Sequence, residues 1–288
     1  MRDLVPLKAR APRAGVPKSG VYEPLVVAYG GGVNSTAMII GLVRRGTMPD
    51  AILFANTGGE RPETYDFVRT FSEWVTAHGG PQITRLRTRF GPEVPYTTLE
   101  QECLAKGQLP SLAYGWHKCS AKWKVRAQAQ WFAGWAPARA CIEAGGLVRK
   151  AIGFHIDEAH RVKPHIVDAG VRKVYPLLEW GYDQAACVAE IEAAGLTKPP
   201  KSACFFCPAS TKSQILALAD SHPDLMRRAL KLEEVALASG NLQTVKGLGR
   251  RFAWHDVVAA GRGQCAMPTA AEEVIPCDCI EDDEDADE

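Results

Sequence analysis

Short apolar runs alternate with amphipathic stretches over the first two thirds of the chain. Residues 24–29, 51–55, 83–88, 147–153 and 173–178 are apolar or alternating and have strand length. Between the early runs lie helical patterns. Residues 37–43 are apolar, 62–78 place Phe67, Phe71, Trp74 and Val75 at helical spacing, and 97–106 and 120–132 follow. Pro62 and Glu63 mark the start of the second of these helices. Repeated strand–helix units predict an α/β fold, an open, mostly parallel five-stranded sheet with helices on both faces. Pro176 within the fifth run predicts a strand near an edge.

The pattern then changes. A helix over 183–194 ends at Gly195, a Lys-Pro-Pro-Lys linker covers 198–201, and helices are expected at 210–219 and 223–239. These predict a helical, cysteine-bearing C-terminal extension. The resulting organisation is a flexible basic arm at 1–20, an α/β domain at 21–180, the extension at 181–265 and an acidic disordered tail at 266–288.

Composition adds limits. The chain has 288 residues, 46% hydrophobic and 23% charged, with a net charge of +1, so overall charge argues for neither nucleic acid nor a membrane surface. No apolar run reaches the roughly 20 residues of a membrane span, and the basic N-terminus lacks the apolar core of an export signal, so a cytoplasmic location is expected. Nine cysteines, odd in number and unevenly spaced, argue against a disulfide framework and for metal or redox chemistry.

The densest local signal is VVAYGGGVNS at 26–35. It reads as strand, glycine loop and helix, with Asn34, Ser35 and Thr36 as capping side chains. Such a loop turns backbone N–H groups and a helix N-terminus toward one point, which suits phosphate. Neither G-x-x-x-x-G-K-[ST] nor G-x-G-x-x-G is present. A second local signal is Cys204-Phe205-Phe206-Cys207-Pro208, a C-x-x-C spacing able to hold one metal or to form a redox pair.

Five ordered segments carry a family resemblance. The glycine loop resembles the S-G-G-x-[DN]-S pyrophosphate loop of the ATP pyrophosphatase superfamily, with Gly30 at the serine position. NTGGERPET at 56–64 resembles the D-T-G-x-E-x-P-E-T segment of phosphoadenylylsulfate reductases, with Asn56 for aspartate. CSAKWKV at 119–125 is similar to C-[TS]-x-x-[YW]-K-[IV] of reductase-like proteins of phages and bacteria. GFHIDEAHR at 153–161, followed by YPLLEW at 175–180, is similar to the family's G-x-R-x-x-E-S-x-x-R and Y-P-L-x-x-W, with His155 for arginine and Ala159 for serine. The C-x-x-C-P at 204–208 completes the set.

The resemblance implies an adenine nucleotide, ATP or phosphoadenylylsulfate, bound by Gly30, Gly31, Gly32, Asn34 and Ser35, with Asn56, Thr57 and Gly58 near adenine or ribose. Glu60 is then a ligand for Mg²⁺ or an incoming group, or else a solvated carboxylate. Lys124 and Arg161 are the implied catalytic phosphate partners, with Lys122 beside them. Cys119, Cys204 and Cys207 are implied ligands of a [4Fe–4S] cluster, with zinc as the alternative. Cys103 is the fourth ligand or a buried helix cysteine. Cys141 and Cys187 read as core, and Cys265, Cys277 and Cys279 as a second thiol site or incidental.

Three functions follow. The first is a reductase-like enzyme doing sulfur-related chemistry on an adenine nucleotide, served by an electron or sulfur donor protein. The E-C-G-[IL]-H motif of true reductases is absent. The second is an ATP pyrophosphatase that adenylates and thiolates a nucleic acid or base. The third is a non-catalytic nucleotide-binding or zinc-stabilised module.

Overall fold

The computed structural model describes residues 20–162, 167–168, 170–242 and 244–261. The five expected parallel strands are β1 (Leu25–Tyr29), β2 (Ala51–Ala55), β3 (Ile83–Leu86), β4 (Val148–Ala151) and β6 (Val171–Val174). A two-residue strand β5 (Val167–Asp168) pairs antiparallel with β6, and the spatial order is β3-β2-β1-β4-β6-β5. The last parallel strand differs from the expected 173–178. Pro176 instead opens a single-turn helix α7 (Pro176–Glu179), where its missing N–H takes nothing from a ladder.

Alternation along each strand divides the core in two. Leu25, Val27 and Tyr29 of β1, with Ile52 and Phe54 of β2, face α1 (Val33–Arg44), α2 (Pro62–Ala77) and α8 (Gln184–Ala193). Val26, Ala51, Leu53 and Ala55 face the opposite way, onto α5 (Arg126–Gly134) and α6 (Ala136–Glu143). Helices therefore cover both faces, as the near-continuous apolar strands require. Phe71 and Val75 of the α2 stripe are fully buried, with Phe67 and Trp74 packed against them. Cys141 and Cys187 are core residues, as expected.

A third core joins the extension to the sheet domain. α3 (Leu99–Lys106), α9 (Lys212–Ser221), α10 (Pro223–Ala238) and α11 (Trp254–Gly261) enclose Trp123, Phe205, Phe206 and Trp254. Two buried carboxylates organise it. Glu102 accepts from Trp123 Nε1 (2.8 Å) and Lys106 Nζ (2.7 Å), and pairs with Lys122. Glu233 accepts from the backbone N–H groups of Leu248, Trp254 and His255. Each is stable inside because its lone pairs are satisfied.

Among the described residues, no helix is long and apolar enough to cross a membrane. Residues 1–19 of the basic arm, the acidic tail and Cys265, Cys277 and Cys279 lie outside the described residues.

Candidate nucleotide site and buried cysteine centre

The strand order defines where a site should lie. From β1 the chain steps through β2 to β3 on one side, whereas β4 and β6 extend the sheet on the other. The crevice between the carboxyl ends of β1 and β4 is thus the topological switch point, the usual ligand position in open α/β sheets. The glycine loop leaves β1 there, and residues 153–161 leave β4 there.

The loop is built from short-range bonds. Gly31 has φ 78°, and an added Cβ would lie 3.3 Å from both Phe54 and Thr64, so glycine serves both turn and packing. Gly32 is the N-cap of α1. The expected side-chain cap does not form. The Ser35 hydroxyl accepts from Gly30 N (3.2 Å), and the Thr36 hydroxyl donates to Gly32 O (2.8 Å). These hydroxyls tighten the turn, and the first N–H groups of a helix have no intrahelical acceptor. Gly153, just past β4, lets the second loop close in. An added Cβ would lie 3.0 Å from the backbone of Ser35.

Residues 153–161 frame the loop with charge. Asn34 Nδ2 donates to Glu158 Oε2 (2.7 Å), and Glu158 Oε1 accepts from Arg161 (2.6 Å). His155 and Glu158 form a capping box at the start of the short helix Ile156–Arg161. The Arg161 guanidinium lies 4.3 Å from the Phe154 ring centroid, and Phe154 stacks on Tyr175. Arg161 thus stands at the loop's edge already engaged with a carboxylate. Glu158 was not among the expected site residues. Its signal was the spacing His155-x-x-Glu158, read only as a motif.

At the end of β2, Asn56 Oδ1 accepts from Gly58 N and from Tyr65 OH, each at 2.8 Å. Asn56 therefore fixes the turn that an aspartate would fix, without the charge. Thr57 Oγ1 lies 3.2 Å from Cys204 Sγ. The C-x-x-C segment lies against this turn, since Glu60 and Cys204 form an antiparallel bridge and Phe205 N donates to Gly59 O (2.7 Å).

Glu60 is buried rather than solvated. Lys124 Nζ lies 3.7 Å from Glu60 Oε1, an ion pair without a hydrogen bond, and that oxygen has no hydrogen-bond partner. Lys124 comes from the π-turn Ala121–Val125 that joins α4 (Lys118–Ser120) to α5. Burial works against its charge, but Glu60, Cys204, Cys207 and Cys119 outweigh burial and raise its pKa. Burial pushes the Cys204 thiol well up, and Glu60 adds to this while Lys124 opposes it. Burial likewise raises Cys207. Cys103, on α3, is pushed up to about 12 by burial and then by Glu102, and it interacts with Cys119.

Ser202 joins the two regions. Its hydroxyl donates to Gly30 O and lies 3.5 Å from Glu60 Oε2. No sequence motif singled it out.

The donor chemistry suits a soft metal or a cluster, with three thiols around a buried ammonium that would balance thiolate charge. The spacing does not. Among the described residues, no group of three or more His, Cys, Asp or Glu side chains is arranged to hold a metal ion.

Fold and site together define an open α/β protein with a glycine loop at its switch point and a largely buried lysine–cysteine centre beside it. No protein-family model matches the chain, and no curated protein sequence matches it.

Proposed function

We propose that this chain is an adenine-nucleotide-dependent enzyme with sulfur-related chemistry. The phosphates occupy the Gly30–Ser35 loop, the nucleoside lies toward Asn56, Thr57 and Gly58, and the reacting end points to Glu60 and Lys124. The observation that carries this reading is Ser202, one hydroxyl that bonds the Gly30 carbonyl and reaches Glu60. It joins the glycine loop to the buried centre, which supports a phosphate site there.

Of the two reaction classes, the charges favour ATP. Glu158 brings a carboxylate to the loop, which suits phosphates accompanied by Mg²⁺. Adenylation then runs by attack of an acceptor oxygen on the α-phosphorus. The bond to the β-phosphate oxygen breaks, pyrophosphate leaves, and the chain supplies positioning and positive charge from Lys124 and Arg161. Reduction of phosphoadenylylsulfate is the second reading, favoured by the nearby C-x-x-C pair. The raised thiol pKa values of Cys204 and Cys207 work against a thiolate nucleophile at neutral pH.

Cys119, Cys204 and Cys207, with Cys103 as the fourth, have the thiol chemistry for a [4Fe–4S] cluster or zinc, but in this structure they are not spaced to hold one. Such a group would supply redox or structural support next to the loop. Iron, sulfide and zinc analysis of anaerobically purified protein tests it, and a colourless zinc protein would exclude the cluster.

The deciding experiment is incubation with Mg²⁺–ATP or with phosphoadenylylsulfate and product analysis. Pyrophosphate release supports adenylation and sulfite release supports reduction. Turnover of neither, with nucleotide still bound, would leave a binding module. Gly32→Ala is a clean probe of the loop, because an added Cβ would lie 3.8 Å from the nearest atom, on Ser202. The fold tolerates that contact, so weakened ATP binding would report on the cradle itself.

A further inference from the structure

A cleft of about 1010 Å³ opens between α2 and the edge strand β3. Its inner end is Asn56, Gly58 and Tyr65, the β2 turn next to the buried centre, and its outer wall carries Arg69, Arg85 and Arg87. Three arginines face one lining glutamate, Glu73, in a chain whose net charge is only +1. The concentration of charge is therefore local.

The arginines are displayed by the strand pattern. Arg85, Arg87 and Arg89 are exposed, while Leu86 and Thr88 between them are buried. β3 ends at Leu86, and the burial alternation continues past it and puts Arg85 and Arg87 on the cleft side, roughly 6–7 Å apart. That is close to the separation of neighbouring phosphates in an extended single strand. The Arg85 guanidinium is held 4.9 Å from the Tyr65 ring centroid, and Tyr65 is itself fixed by its bond to Asn56. Among the described residues, neither Arg85 nor Arg87 forms an ion pair, whereas Arg69 holds Asp66 at 2.9 Å. β3 is an edge strand, so the cleft lies at the border of the sheet.

We propose that this cleft is the docking path for a single-stranded nucleic acid, the acceptor for chemistry at the neighbouring nucleotide site. Two arginines without acidic partners, one at the end of β3 and one just past it, match a phosphodiester backbone in charge and spacing. A strand docked along Arg85 and Arg87 would end beside the Asn56 turn, next to the nucleoside proposed there rather than in its place, and within reach of the site that leads to Glu60. This rests on the adenine-nucleotide reading above, and the two are separated by measuring ATP and nucleic acid binding independently.

The test is fluorescence anisotropy of the full chain with labelled oligothymidylate and oligouridylate over a range of salt. Wild-type protein binds with strong salt dependence. The double variant Arg85→Ala/Arg87→Ala loses roughly tenfold or more in affinity, and its log–log salt slope falls by about 1.4, the loss of two single-strand phosphate contacts. Both residues are exposed, so the variant folds, and Arg85→Gln/Arg87→Gln gives the same reading if it does not. Arg227→Ala/Lys231→Ala removes equal charge from α10 and leaves oligonucleotide affinity within twofold. Ser35→Ala weakens ATP binding and leaves oligonucleotide binding intact. No oligonucleotide binding by wild type, an equal loss in the α10 variant, or loss of ATP binding in the Arg85/Arg87 variant would each overturn the proposal. The last would make the cleft a nucleotide phosphate site.

Discussion

The glycine loop and the lysine–cysteine centre are neighbours, yet they are assembled in opposite ways. The loop is closed by bonds spanning three to five residues, from Gly30 to Ser35 and from Gly32 to Thr36. The centre gathers Thr57 and Glu60, Cys119 and Lys124, and Cys204 and Cys207, segments tens of residues apart in the chain. Local bonds make the loop a property of its own sequence. The centre exists only when three segments are packed together, so its charges depend on the whole fold. The two should therefore fail differently under substitution.

The largest effect is expected at Lys124→Met, which leaves the Glu60 carboxylate buried without its partner. A loss of about 3–5 kcal/mol should be seen in denaturant unfolding. Glu60→Leu/Lys124→Met should recover much of that loss, because removing both charges removes the penalty. Full additivity of the two single changes would show that the pair does not act as a unit.

Glu102→Gln strikes the packing that holds the π-turn. Burial raises the Glu102 pKa, but hydrogen bonds from Lys106, Lys122 and Trp123 outweigh burial and lower it overall. A lowered folded pKa contributes stability that is complete above the ordinary carboxylate value and is lost as pH falls through the lowered one. The variant should lose about 1.5–3 kcal/mol at neutral pH. It should also flatten the acid limb of the stability–pH curve. An unchanged acid limb would assign that limb to other carboxylates.

Gly153→Ala tests one of the loop's long-range contacts, the close approach of the β4 loop to the Ser35 backbone. The new methyl meets Ser35 backbone, which cannot swing aside as a side chain can. Expected are about 1–3 kcal/mol of destabilisation and weaker ATP binding by calorimetry. Loss of stability with full ATP affinity would show that the loop can shift without losing its cradle.

The smallest effect belongs to Ser35→Ala. It removes the acceptor for Gly30 N, worth about 0.5–1.5 kcal/mol. Thermal unfolding should move little while ATP affinity falls. A large stability loss with normal ATP binding would recast Ser35 as a structural residue.

Much of the architecture was legible along the chain. The runs at β1 to β4 fell where expected: β1 and β2, covered on both faces, are apolar throughout, and β3 alternates at the sheet's edge. Pro62 and Asp183 marked helix starts that exist. The fifth strand was misplaced because YPLL has strand-like composition, yet its proline fits a helix's first turn better than a ladder. The expected caps at Asn34–Thr36 failed for a related reason. Those residues are already inside α1, and their side chains bond backward or to Glu158.

The sequence by itself determined the strand–helix rhythm, the glycine loop and the thiol spacing, because each follows from backbone sterics or from side chains a few residues apart. Only the tertiary structure decided that Glu60 is buried against Lys124, that Glu158 reaches Asn34, that Ser202 joins the loop to the centre, and that Arg85 and Arg87 line a cleft opening at Asn56. Those facts depend on desolvation and on contacts between distant segments. Neither quantity is written in a local window of residues; both arise when the sheet closes and the Cys204–Cys207 turn packs against the end of β2.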